Sequence, residues 1–86
     1  MRLREQVTLT PLDGECAVLL DERSGRYYQL NATAYLLLRE LLAGAAPDHA
    51  AARLTDRHPE AAGRAEADTA ALIADLRRAD LVRDDG

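Results

Sequence analysis

The sequence predicts an α+β fold, a three-stranded antiparallel meander followed by three helices, and two observations carry that prediction. Through the first third of the chain polar and apolar residues alternate with the period of half-buried strands, and from Asn31 onward leucines and alanines recur at helical spacing. Strands gathered ahead of helices give an α+β order with a winged-helix outline. At 86 residues the chain is expected to form one domain over 1–86, with one core and no room for a deep lidded cavity.

The first strand is expected over Glu5 to Leu9, where Val7 and Leu9 alternate with Gln6 and Thr8. A turn at Pro11 to Glu15 leads into the second. There Cys16, Val18 and Leu20 share one face and Ala17 and Leu19 the other, so the strand suits the middle of its sheet. Ser24-Gly25 is a turn signal that returns the chain as a third strand, Arg26 to Leu30, with Tyr28 and Leu30 on one face and Tyr27 and Gln29 on the other.

Asn31 is a good helix N-cap, and Leu30 before it is placed to pack on Tyr35 as a hydrophobic staple. Leu37, Leu38, Leu41 and Leu42 then form one apolar arc up to Gly44, which ends the helix, while Leu36 falls off the arc and is expected to be exposed. Pro47 opens a second helix to about Arg57, anchored by Ala50, Ala51 and Leu54 and stopped at His58-Pro59. A third, about Arg64 to Ala79, should bury Leu72, Ile73 and Leu76, with acidic residues at its start and Arg77 and Arg78 at its end, as the helix dipole favours. Leu81 and Val82 follow as an apolar hook.

Composition removes several functions. The formal net charge is -4, the charges are mixed along the chain and there is no lysine, so nucleic acid and anionic membranes are disfavoured partners. Even the longest apolar runs, such as Ala34 to Leu38, are far too short to span a bilayer. The single cysteine, Cys16, has no internal disulfide partner, and no charged-then-apolar segment opens the sequence, so a cytoplasmic protein is expected. His49 and His58 lack the spacing of a metal site, Ser24 and Cys16 have no adjacent base, and the glycines are scattered at turns. The expectation is no catalytic residue, no metal and no cofactor.

A winged helix often reads DNA through its last helix, but Glu66, Asp68 and Asp75 would bring carboxylates to phosphates. What remains is an edge. The third strand pairs on one side only, carries neither Pro nor Lys, and invites another chain to add a strand. With Arg26, Tyr27, Tyr28, Gln29 and Leu30 as one wall and Leu72, Asp75, Leu76 and Ala79 of the third helix as the other, it forms a candidate peptide groove. Tyrosine suits such a groove, offering a large apolar face and a hydroxyl.

The run "SGRYYQLN" before a leucine-rich helix, then "LLAG", a short Ala-rich helix and a terminal "LRRADLV", resembles the PqqD-like domains over nearly the whole chain. The resemblance implies a winged-helix-like recognition element for ribosomally made, post-translationally modified peptides. Such domains capture a precursor's leader segment as an added strand beside the third strand and against the third helix. One departure is Asp80, where the family often has Gly; Asp tolerates the left-handed conformation. The resemblance also implies a discrete subunit that performs no bond chemistry. In its lasso-peptide setting the partners are a leader carrying Tyr-x-x-Pro, a maturation peptidase and a cyclase; in the other it is a peptide chaperone of pyrroloquinoline quinone biosynthesis, serving a radical enzyme. The lasso setting is preferred. A winged-helix DNA-binding regulator and a structural subunit are the readings from other classes.

Overall fold

A computed structural model describes residues 1–84. In chain order the elements are β1 (Arg2–Leu3), β2 (Val7–Pro11), β3 (Ala17–Asp21), β4 (Arg26–Leu30), α1 (Ala32–Leu42), α2 (Pro47–Arg57), α3 (Ala65–Arg78) and β5 (Val82–Arg83), with short 3-10 turns at Asp13–Glu15 and Pro59–Ala61. The predicted meander is the antiparallel sheet β2–β3–β4, with β3 central as expected. Ala17, Leu19 and Asp21 of β3 are buried against the helices, whereas Val18 and Leu20 on its other face are only half-buried.

Two strands lie one or two residues downstream of their predicted places. β2 reaches Pro11 because the register allows it. The Leu12 N–H donates to the Cys16 carbonyl at 2.8 Å, so even-numbered residues of β2 face β3, while Val7, Leu9 and Pro11 point their backbone groups outward. A proline there removes no bond of the sheet. The Val7 N–H, on the same outer side, donates to the Arg4 carbonyl at 3.0 Å. β3 in turn extends to Asp21, whose carbonyl accepts from the N–H groups of Ser24 (3.3 Å) and Gly25 (2.7 Å), closing the hairpin with Gly25 at φ 75.

Asn31 caps α1 as predicted, its Oδ1 accepting from the Ala34 N–H at 2.9 Å. The helix ends in a Schellman motif: Ala45 N–H to Glu40 carbonyl, Gly44 N–H to Leu41 carbonyl, and Gly44 at φ 103. Leu36 corrects the sequence reading, being only 7% exposed. The reason is that α1 has two partners. Its Leu38 packs with the sheet and α3 side of the core, while Leu36, Leu37 and Leu41 join Ala50, Ala51 and Leu54 of α2 in a second cluster. A helix covered on two sides buries more than one arc.

α2 has the predicted span, from Pro47 at its start to His58-Pro59 at its stop. α3 buries Ala65, Thr69 and Leu76 fully, whereas Leu72 and Ile73, expected in the core, are only partly buried. Thr69 can lie inside because its hydroxyl donates to the Ala65 carbonyl at 2.6 Å. The end of α3 repeats the Schellman pattern: Leu81 N–H bonds Leu76 carbonyl, Asp80 N–H bonds Arg77 carbonyl, and Asp80 takes the left-handed φ of 60 usually left to glycine. Leu81 is thereby folded back into the core beside Leu76, and Val82 enters β5, which pairs with β1 in a two-stranded sheet the sequence did not announce.

Asp80 does more than turn the chain. Its carboxylate accepts from Arg4 Nε at 2.9 Å and from Arg23 Nη1 at 3.2 Å, and its carbonyl accepts from Arg23 Nη2 at 2.7 Å. Arg23 also donates to both oxygens of the buried Asp21, at 3.0 and 3.2 Å. One cluster thus ties the segment before β2, the β3–β4 hairpin and the end of α3. The hydrogen bonds from Arg23 hold the Asp21 carboxyl below the usual carboxylate range, and those from Arg4 do the same for Asp80.

Candidate functional site

Which backbone groups of β4 are unused follows from the ladder. The Asp21 carbonyl points toward β4 and the Glu22 N–H toward Gln6 of the β2 side, so Ala17, Leu19 and Asp21 exchange hydrogen bonds with Leu30, Tyr28 and Arg26. Tyr27 and Gln29 therefore direct their N–H and C=O groups to the other side, where no strand pairs with β4 among the described residues. Their side chains lie on the face away from the helices; Tyr27 is 69% exposed.

Beside this edge runs a groove of ≈ 250 Å³ between β4 and α3, lined by Leu19, Tyr28, Gln29, Leu30, Ala34, Leu72, Asp75, Leu76 and Leu81. Its floor is apolar because Tyr28 and Leu30 alternate onto the helix-facing side of β4, and because the α3 residues Leu72 and Leu76 follow at helical spacing. Asp75 stands exposed at the rim, accepting from Arg78 Nη1 at 3.0 Å. Around Leu30 and Ala34 the groove meets a second hollow of ≈ 610 Å³ that reaches Leu12 and Cys16 at the far end of the sheet.

Of the nine residues named from the sequence, Tyr28, Gln29, Leu30, Leu72, Asp75 and Leu76 line this one groove. Arg26 and Tyr27 stand on the same strand outside the lining, and Ala79 is partly buried against the core and also outside it. Leu19, Ala34 and Leu81 are lining residues that sequence reasoning missed. Leu19 was legible as an apolar position of the central strand and Leu81 as part of the hook; only the tertiary path of the chain brings them here. Tyr35 is taken up elsewhere, with the Arg39 guanidinium 4.7 Å above its ring.

The residues set aside as catalytic or metal candidates remain apart. His49 is exposed on α2, and the His58 ring lies 3.1 Å from Glu60 Oε1. Cys16 Sγ contacts the Gly14 carbonyl at 3.6 Å. Among the described residues no group of three or more His, Cys, Asp or Glu is placed to hold a metal, and no helix is long and apolar enough to cross a membrane. A hollow of ≈ 490 Å³ between α2 and α3, lined by Pro47, Asp48, Glu66, Thr69, Ala70, Ile73, Ala74 and Arg77, shares no residue with the edge and offers no unpaired strand.

The family model described as coenzyme PQQ synthesis protein D (PqqD) matches residues 16–82. Among solved structures, one described as lasso peptide synthetase B1 complexed with the leader peptide is 38% identical, superposes with a TM-score of 0.83 and covers 96% of each chain. A second, described as TbiB1 in complex with the TbiA(beta) leader peptide, is similar in fold, with a TM-score of 0.82 at 20% identity over 100% of this chain and 99% of that one. No curated protein matches.

Proposed function

This chain belongs to the PqqD family, and from that premise we propose that it captures the leader segment of a ribosomally synthesised precursor peptide. The leader adds as a strand to β4, with residues on either side of it packed in the groove against α3. One observation carries the reading: the N–H and C=O groups of Tyr27 and Gln29, unpaired among the described residues, lie along an apolar groove on the same strand. Backbone bonds would supply affinity whatever the leader's side chains, and the groove would select among them. The leader described for the 38% identical lasso peptide synthetase B1 supports this assignment and favours lasso-peptide biosynthesis as its setting.

In this reading residues 1–86 act as one recognition domain in the cytoplasm, where the precursor is made. The domain performs no bond chemistry; it presents the bound precursor to a maturation peptidase and a cyclase supplied by other chains. The description of the matching family favours a second setting, peptide chaperoning in pyrroloquinoline quinone biosynthesis. Gene neighbourhood separates the two: a short precursor gene beside a peptidase and an asparagine-synthetase-like cyclase marks the first.

Fluorescence anisotropy with a synthetic leader, lacking the core segment, tests the binding. The cognate leader should bind in the nanomolar to low micromolar range, about −8 to −12 kcal/mol. A scrambled leader that binds equally well would refute the assignment.

A further inference from the structure

Asp21 and Arg26 stand opposite each other in the β3–β4 register, in a pair that exchanges backbone hydrogen bonds. Their side chains would be expected to form a cross-strand ion pair. They do not, because Arg23 donates to both Asp21 oxygens, at 3.0 and 3.2 Å, and its backbone N–H adds a third bond to Oδ1 at 3.0 Å. Arg26 is left exposed, and its guanidinium has no hydrogen bond or ion pair among the described residues. By strand alternation it projects on the same face as Tyr28 and Leu30, so it extends the groove's line with a positive charge at the hairpin end.

We infer that Arg26 is a specificity-determining residue that selects an Asp or Glu in the captured peptide at the position directly across from it. This rests on the strand addition proposed above. A strand added antiparallel, the better-bonded arrangement, would exchange hydrogen bonds with Tyr27 and Gln29. The peptide residues across from Leu30, Tyr28 and Arg26 then fall in the non-hydrogen-bonded pairs. There Cα atoms approach to about 4.5 Å and side chains lie closest. Read from its N-terminus, the peptide presents an apolar residue, any residue, an apolar residue, any residue, then an acid. The first two specified positions face the groove and the last faces Arg26. The Asp75 carboxylate at the groove rim makes placement matter, since an acid moved two residues earlier meets a like charge instead of a guanidinium.

The test walks a glutamate, and in parallel an arginine, one residue at a time through the synthetic leader of the precursor encoded beside this chain's gene. Each peptide is titrated into the wild-type protein, Arg26→Gln and Arg26→Glu, with thermal melts to establish that the exposed substitutions leave the fold intact. One position should prefer Glu over Arg by about two- to fivefold on the wild type. That preference should vanish in Arg26→Gln and reverse in Arg26→Glu. If every position responds alike in the three proteins, Arg26 selects nothing, although leader binding itself stands. If the unmodified leader does not bind the wild type at all, the strand-addition reading falls and this inference falls with it.

Discussion

The sheet has two outer edges, and they are treated differently. On β2 the outward backbone groups belong to Val7, Leu9 and Pro11; Arg4 takes the Val7 donor and Pro11 has none to give, which leaves Leu9 as the one outward donor of that strand. On β4 the outward groups of Tyr27 and Gln29 have no strand beside them among the described residues, and an apolar groove accompanies them. Both edges come from five-residue strands of one meander, so length and position do not separate them. What separates them is a proline and a folded-back N-terminal segment on one side, and neither on the other. An exposed edge is a liability that proteins ordinarily blunt. Blunting one and sparing the other is what a strand-accepting site requires.

The largest effect that can break this comparison comes from proline on β4. Tyr28→Pro removes a donor from the β3–β4 ladder and should destabilise the fold severely, whereas Gln29→Pro leaves that ladder intact and should melt close to Gln29→Ala. Gln29→Pro should instead weaken leader binding by about two- to tenfold, the worth of about one net hydrogen bond. Thermal melts and leader titrations on both variants, with their alanine references, decide it. The reverse outcome would mean that the outward residues have been misassigned.

Next comes the wall facing that edge. Leu76→Ala, in the core at 3% exposure, should cost about 2–5 kcal/mol in denaturant unfolding. Asp75→Arg, at the exposed rim, should change stability by less than about 0.5 kcal/mol while weakening the leader measurably. Comparable stability losses for the two would show that α3 does not present Asp75 to the groove.

A smaller effect concerns the closed edge. Arg4 closes β2 through its carbonyl and is itself anchored through its guanidinium to Asp80. Hydrogen bonds from Arg4 to Asp80 and from Arg23 to Asp21 hold both carboxyls below the ordinary carboxylate range in the folded chain, so the unfolded chain takes up protons first as pH falls. Their contribution to stability is fully present above the unfolded value and is lost as pH falls from about 4 through the depressed folded values. The protection factor of the Val7 amide, its exchange rate referred to the intrinsic rate at the same pH, should fall in that window, and Asp80→Ala should give much the same loss of protection at neutral pH. Exchange at Tyr27 and Gln29 should be fast throughout until a leader is added. The smallest effect is expected from Pro11→Thr, which restores an outward donor to β2. Stability should move within about 0.5 kcal/mol, and light scattering should detect weak concentration-dependent association absent from the wild type.

The open edge of this contrast is legible in the sequence and the closed one is not, because Pro11 reads as part of a turn and the fold-back of Arg4 onto Val7 is tertiary. α2 was read to its ends because Pro47 and His58-Pro59 punctuate it locally. Tyr28, Leu30, Leu72 and Leu76 came from alternation and helical spacing, which are properties of single elements. Leu36 is misread from the sequence because its burial depends on a second helix crossing α1, and Thr69 is passed over because a hydroxyl bonded to its own helix lets a polar residue occupy a core position that apolar spacing does not mark. β1 and β5 have two residues each, too few to show any period. The outward assignment of Gln29 over Tyr28 depends on ladder phase, which a sequence does not carry, and the contributions of Ala34 and Leu81 to the groove depend on tertiary path.

Pro11 also has a consequence for how many molecules can join. A subunit that grows a sheet through its own strands needs two reactive ends, as a monomer needs two functional groups to enter a polymer. With the β2 side terminated, this domain has a functionality of one. Two copies meeting through β4 would stop at a pair, and a copy that has taken a peptide no longer offers β4 itself. Pairing through the meander is therefore expected to admit one partner at β4, and the expected stoichiometry with a leader is one to one.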